Sequence, residues 1–255
     1  MDAAIANIVE QLKRARRVLF ITGAGISADS GLPTYRGVGG LYNDTATEDG
    51  LPIEQALSGA IFSTRPGITW KYLAQIEKNC RGAQPNAAHR LIAALEQRIP
   101  YVMVFTQNVD GLHGKAGSSN IIEIHGGLHE LHCTACNFRE AVKDYSRLEL
   151  PPLCPKCKGM LRPDIVLFGE ALPPDALDRL SDAFRQGFDM VFTIGTSAIF
   201  PYITQPVVWA ADLGITTIEI NPVKTHLSDR VDFYLPLRAS DAMSLIASGL
   251  AETSA

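Results

Sequence analysis

Apolar residues recur along this chain in two rhythms. Ile5, Ile8, Val9 and Leu12 fall three or four positions apart, the spacing of one helical face. Val18 to Thr22 is instead an unbroken apolar, β-branched run ending at glycine, as in a strand buried on both faces. The alternation continues downstream. It predicts helices over 67–79 and 87–98, then strands over 101–106 and 121–124. Further on, strands are expected over 165–168, 189–194, 215–220 and 233–235, with helices over 174–186, 203–213 and 240–250. Strands alternating with helices imply a mostly parallel sheet covered on both faces, and right-handed crossovers make it doubly wound.

Two segments break the rhythm. Residues 23–60 are rich in Gly, Asp, Thr and Pro and show little periodicity, so a long loop with one short helix is expected there. Loops this long inside a domain are uncommon and often functional. From about 128 to 162, cysteine pairs and polar residues replace the apolar runs. The predicted fold class is therefore α/β: a doubly wound, Rossmann-like parallel sheet formed by 1–127 and 163–255, carrying a small inserted module over 128–162.

The module's chemistry is legible in its cysteines. Cys133-x-x-Cys136 is followed, after 17 residues, by Cys154-x-x-Cys157. Each pair can face one ion from a single knuckle, and two knuckles complete a tetrahedral four-thiolate zinc site of the ribbon type. Two disulfides or a redox pair are the competing readings. Compartment weighs against them. The N-terminus does not follow the basic-then-apolar order of a secretory signal. No apolar run reaches the roughly 18–20 residues that cross a bilayer. A cytoplasmic protein with no membrane partner is expected, and a reducing compartment favours metal over disulfide. Four thiolates leave no open coordination position, so the zinc is expected to be structural. Cys80 stands apart. A net charge of −4 lacks the basic excess of a nucleic-acid-binding surface, and no nucleic-acid partner is expected.

Small and polar residues gather where the strands end. Gly23-Ala24-Gly25-Ile26-Ser27-Ala28 follows the first strand and fits G-x-G-x-x-G/A. Gly23 permits a tight turn, Gly25 lets backbone approach a pyrophosphate, and Ala28 allows a following helix to pack closely. A strand-to-helix turn that merely needs small residues fits the same spacing. The acidic residue of an ordinary dehydrogenase, about 20 positions on, has no clear counterpart: Asp44, Glu48 and Asp49 lie in a polar loop. Gln107, Asn108, Asp110 and His113 follow the strand over 101–106. An amide beside a carboxylate can recognise a carboxamide and a ribose, although Asn and Asp also serve simple turns. His125 ends the next strand, where it is either a general base or a structural histidine. Gly195-Thr196-Ser197 and Asn221-Pro222 end two more. The argument is their convergence on one edge of the sheet.

GAGISADSGLPTYR, TQNVDGLH, HGG, the two CxxC pairs, LRPDIVLFGE, GTS and the INP turn stand in the order typical of sirtuins, and the chain resembles that family from residue 18 to about 240. The resemblance implies an NAD⁺-dependent protein-lysine deacylase that releases nicotinamide and O-acyl-ADP-ribose, with NAD and zinc as its cofactors and an acyl-lysine protein or peptide as its partner. It places Gly23, Ala24, Gly25, Ser27 and Arg36 on the dinucleotide. Ile26, Asn108 and Asp110 would form the nicotinamide pocket, with Asn108 also catalytic, and Gln107 would reach the adjoining ribose. Gly195, Thr196, Ser197 and Asn221 would hold the adenosine half, with Ala239 near the adenine. His125 would be the general base. Val166, Leu167, Phe168, Gly169 and Glu170 would pair with the substrate peptide by strand addition.

The chain departs from the family in places. Tyr35 stands where many relatives have Phe. Relatives that remove succinyl or malonyl groups carry Tyr-x-x-Arg before the QPN segment, whereas here Tyr72 is followed by Gln75, with no guanidinium to pair a carboxylate. Neutral acyl groups are therefore expected. AIFPYITQPV after GTS is unusual and borders the expected substrate channel. Transfer of ADP-ribose to a protein is the alternative activity, and a non-catalytic NAD⁺ sensor a further one.

Overall fold

The computed structural model describes residues 2–34 and 46–252. Its strands are β1 (Arg17–Thr22), β2 (Tyr101–Thr106), β3 (Ile121–Glu123), β4 (Gly126–Cys133), β5 (Arg139–Ala141), β6 (Leu161–Ile165), β7 (Met190–Ile194), β8 (Thr216–Ile220) and β9 (Phe233–Leu235). The helices are α1 (Asp2–Arg14), α2 (Ile53–Ala56), α3 (Gly59–Thr64), α4 (Pro66–Cys80), α5 (Ala87–Leu95), α6 (Leu112–Ala116), α7 (Pro174–Arg185), α8 (Pro201–Asp212) and α9 (Ala239–Glu252).

Six strands pair in the order β3-β2-β1-β7-β8-β9, and every pairing is parallel. The unbroken apolar runs follow from this arrangement. Val18 and Phe20 of β1 pack under α1, α5 and α9, while Leu19 and Ile21 point to the other face, under α7 and α8. A strand covered on both sides has no polar face to show. The chain winds one way from β1 through β2 to β3 and the other way from β7 onward. This is the reversal beside which ligands bind in doubly wound sheets, at the carboxyl ends of the strands.

One expected strand is corrected. Ile165 to Phe168 does not join the parallel sheet: the strand here is β6, ending at Ile165, and it lies antiparallel to β4 in a separate three-stranded sheet ordered β5-β4-β6. Beyond it, the Val166 N–H donates to the His125 carbonyl at 3.0 Å and the Phe168 N–H to the Leu57 carbonyl at 3.0 Å. The apolar run is explained by burial of Leu167 in a third core.

That third core joins the small sheet to the helices before it. Trp70, Tyr72 and Leu73 of α4 pack with Leu128, Leu131 and Leu161, and the Trp70 Nε1–H donates to the Leu161 carbonyl at 3.1 Å. The region read as loop thus holds more regular structure than expected: a 3₁₀ stretch, Ala24–Ser30, and the short helices α2 and α3. Tyr35, Arg36 and Asp44 lie outside the described residues. Among the described residues, no helix is long and apolar enough to cross a membrane.

Candidate active site and metal centre

The glycine-rich turn and the turn after β7 are built against each other. The Gly23 N–H donates to the Ile194 carbonyl and the Gly25 N–H to the Gly195 carbonyl, the latter at 2.7 Å. A Cβ on Gly25 would sit 2.6 Å from the Gly195 Cα, and one on Gly195 would sit 2.3 Å from the Ile26 nitrogen. Gly195 also has a φ of +61°. The glycines are therefore needed first for backbone-to-backbone approach at the reversal of the sheet. The residues that follow form a 3₁₀ stretch rather than an α-helix, ended by Gly31 with φ +82°.

Around this turn the expected polar residues come together. The Asn108 amide donates to the Gly23 carbonyl at 3.1 Å and to Ser27 Oγ at 3.3 Å; Ser27 in turn donates to Asp110 Oδ2 at 2.7 Å. Burial pushes the Asp110 carboxyl up, against the lowering effect of the Ser27 hydrogen bond and the Leu112 N–H. Ala24, Ser27, Asn108 and Asp110 line a cleft that Ile76 and Cys80 of α4 close from the other side. Sequence reasoning found no place for Cys80. Its thiol is pushed up to about 12, by burial and then by the charges of Asp110 and Glu77, so it stays protonated and wall-like.

The next turns add donors on the same edge. Gln107 Nε2 donates to Thr196 Oγ1 at 2.9 Å, and Asn221 Nδ2 to the Thr196 carbonyl at 2.8 Å. Ser197 is exposed beside them. Ala239 is buried at the start of α9, which is tied to the 3₁₀ stretch through Asp29, the acceptor of Arg238 Nη1 and of the Ser240 N–H.

His125 sits just past β3, half-buried. Its Nδ1 lies 2.8 Å from the Gln107 carbonyl, which can only accept, so Nδ1 carries the proton. Nε2 is then the basic nitrogen, and it lies 2.8 Å from the Tyr202 hydroxyl. Burial lowers the proton affinity of this imidazole, offset in part by the Gln107 carbonyl, so the ring is neutral near pH 7. Tyr202 was not singled out from the sequence. A phenol beside proline in the unusual AIFPYITQPV stretch was the available signal.

His113 plays a different part from the one its place in TQNVDGLH suggested. It is 2% exposed, with Nε2 at 2.9 Å from Thr22 Oγ1, and its ring lies 4.8 Å from that of the fully buried His89. Burial lowers His89 to about 4 and His113 to about 3. Both are neutral packing groups under the turn. His89 also belongs to the cap of α5, where Asn86 accepts from the Ala88 N–H and donates to the Ile26 carbonyl.

The four cysteines meet at the far end of the small sheet. All four Sγ atoms lie within 4.8 Å of one another, with Cys133 to Cys157 at 3.4 Å and Cys136 to Cys154 at 3.6 Å. A disulfide needs about 2.05 Å. Thiolates about 2.3 Å from a common tetrahedral ion stand close to the observed separations, so the donor set fits zinc.

Val166 to Glu170 runs from β6 past His125. The N–H groups of Val166, Leu167, Phe168 and Glu170 are all taken within the chain, the second by the Glu170 carboxylate, which Arg162 also grips with both Nη atoms. Phe168 already bridges Ser58 in parallel. Tyr72 donates to Asp49 Oδ2 at 2.5 Å, and Gln75 is exposed.

Residues 23–201 match the sequence model of the Sir2 family. The chain is 49% identical over 247 residues to NAD-dependent protein deacylase 2 of Pseudomonas aeruginosa, covering 96% of each chain. Among solved structures it is similar to a Sir2 homolog–NAD complex, with TM-score 0.85 and 34% identity over 98% of this chain and 94% of the other. It is also similar to Sir2 bound to a p53 peptide and NAD⁺, with TM-score 0.81 and 28% identity over 95% and 97%.

Proposed function

This chain belongs to the Sir2 family and is an NAD-dependent protein deacylase, and we propose that it removes neutral acyl groups from lysine with His125 as its general base. The observation that carries this reading is the imidazole itself: neutral, with Nε2 left as acceptor and Nδ1–H fixed on the carbonyl of Gln107, the chain neighbour of the Asn108 that lines the cleft.

The turns at this edge of the sheet suit a dinucleotide. Close approach of the Gly23–Gly25 and Gly195 turns places Ala24 and Ser27 on the cleft wall beside an amide and a carboxyl. When bound, NAD⁺ would supply the ribose carbon from which nicotinamide departs and the ribose hydroxyl that takes up the acyl group. Ile26, Asn108 and Asp110 hold the nicotinamide end, with Asn108 orienting the reacting groups. Gln107 faces the adjoining ribose. Gly23, Ala24, Gly25, Ser27 and Arg36 contact the dinucleotide. Gly195, Thr196, Ser197, Asn221 and Ala239 hold the adenosine half. His125 accepts a ribose hydroxyl proton at Nε2. The substrate peptide lies along Val166–Glu170, through the backbone groups that the internal bonds of this segment leave. Ile76 and Leu32 supply apolar wall that limits water near the reacting sugar.

Neutral acyl groups follow from charge. The position four residues into the Tyr72 motif is Gln75, which offers no guanidinium to pair an anionic acyl chain, and the phenol of Tyr72 is bonded to the Asp49 carboxylate, which also pairs with Lys71. The deacylase relatives favour deacylation over transfer of ADP-ribose to protein. Zinc on Cys133, Cys136, Cys154 and Cys157 is structural. The separated thiols fit a reducing compartment, in keeping with a cytoplasmic protein.

The test is His125→Ala with acetyl- and succinyl-lysine peptides. Deacetylation should fall about 10²- to 10⁴-fold, with NAD⁺ binding retained, and the parent protein should favour the acetyl peptide. Undiminished turnover in the variant would remove His125 from its role; preference for the succinyl peptide would overturn the charge argument.

A further inference from the structure

The phenol of Tyr202 occupies a place that the reaction needs. Because Nδ1–H of His125 is spent on the Gln107 carbonyl, the ring keeps one lone pair, on Nε2, and the Tyr202 hydroxyl donates to it at 2.8 Å. A neutral imidazole nitrogen accepts one good hydrogen bond, so a substrate hydroxyl that is to give Nε2 its proton competes with this phenol.

Several features hold Tyr202 in that place. Its ring stacks on Phe200, with centroids 5.5 Å apart and planes 15° apart. It meets the His125 ring edge-on at 5.9 Å. Pro201 starts α8 with a preset φ, so the helix delivers Tyr202 in its first turn. Upstream, Ala198 is fully buried with φ +52°, and its N–H is pinned to Thr196 Oγ1 at 3.1 Å. A left-handed conformation is disfavoured at a residue with a Cβ, and it persists where its surroundings fix it. The strained turn re-aims the chain between the Thr196 hydroxyl and α8, so that the phenol arrives over the base.

We propose that Tyr202 is a positioning residue for deacylation: in the free enzyme its phenol holds the reactive nitrogen of His125, and the ribose hydroxyl must displace it before the proton is passed. This rests on His125 being the base. The phenol keeps its own proton throughout. The bond that breaks is the hydroxyl O–H of the substrate, and the one that forms is N–H at Nε2. Burial and the Gln107 carbonyl are the other influences on this imidazole, and among the described residues no carboxylate or cation contributes. Asp110, on the neighbouring loop, is engaged instead by Ser27.

Tyr202→Phe keeps the ring and its stacking and removes only the oxygen. The titration of His125 is followed by NMR in the cofactor-free protein, alongside the pH profile of kcat/KM. Loss of a donor to Nε2 favours the protonated ring, so His125 should titrate at higher pH in the variant. The acid limb of kcat/KM, where activity is lost as the base protonates, should move up with it. On the plateau, kcat/KM should rise about two- to tenfold, because one hydrogen bond no longer has to be broken. A titration that does not move, or a plateau that stays level or falls, overturns the proposal. His125→Ala in parallel separates the two readings. If that variant keeps deacylating, the base assignment fails and this inference with it. If it is inactive while Tyr202→Phe titrates like the parent, only the role of Tyr202 fails.

Discussion

The two sheets are held together in different ways. In the six-stranded sheet every residue of β7 is buried, Phe20 stacks on Phe192 at 4.8 Å, and helices cover both faces. In the three-stranded sheet β5 exposes Arg139 and Ala141, one face leans on α4, and the far end is gathered by four thiols. The large sheet rests on apolar burial against both faces; the small one is buried on the side of α4 and offers four thiols to an ion at its far end. The active site draws on both. Asn108, Asp110, Thr196 and His125 follow strands of the large sheet, whereas the segment proposed to face substrate continues from β6 and bonds to the His125 carbonyl through Val166.

Removing the metal should break this contrast most severely. A strong chelator, or Cys154→Ser, is expected to forfeit a binding free energy on the order of 10 kcal/mol in the small sheet. Hydrogen exchange should show residues 126–165 losing protection while 17–22 and 190–194 keep theirs. Deacylation should fail because the Val166–Glu170 segment loses its support. Equal loss of protection in both sheets would mean that the large one is not self-sufficient.

Steric damage to the large sheet comes next. Gly195→Ala places a Cβ against the Ile26 nitrogen at a positive φ, and is expected to cost about 2–4 kcal/mol in denaturant unfolding, with NAD⁺ binding weakened. Zinc content should be unchanged. Wild-type stability in this variant would show that the two turns are not in the contact described.

The sheet's polar underlay should respond to acid more gently. His89 and His113 titrate at about 4 and 3 in the folded protein, against about 6.5 unfolded. The unfolded chain therefore binds more protons, and stability falls as pH drops from about 6.5 toward 4. With both histidines contributing, the loss is gradual and spread across that window. Replacing His113 by Gln should flatten the dependence. An unaltered slope would assign acid sensitivity to other groups.

The sequence spoke most clearly where burial or covalent spacing leaves few options. Doubly covered strands must be continuous apolar runs, so Val18 to Thr22 and 101–106 were legible as they stand. The CxxC pairs announced their meeting because four thiolates at that spacing have few other uses. Isoleucine, valine, leucine and phenylalanine at 165–168 misled for the same reason: a short apolar run says that residues are buried, not which core buries them. The helices over 53–64 were hidden because four to six residues cannot display a period. At the site, the polar strand ends and His125, the proposed base, were visible as types in position. The Tyr202 contact was not, because it depends on how Ala198 bends the chain, and a left-handed alanine leaves no mark in sequence.

The most direct measurement is to incubate the purified protein with an acetyl-lysine peptide, with and without NAD⁺, and to follow all products by mass spectrometry. The expected result is loss of the acetyl group only with NAD⁺, one nicotinamide and one O-acetyl-ADP-ribose formed for each lysine freed, and deacetylation by His125→Ala reduced about 10²- to 10⁴-fold. NAD⁺ consumed while the acetyl group stays on the peptide, or ADP-ribose attached to protein in its place, would contradict it.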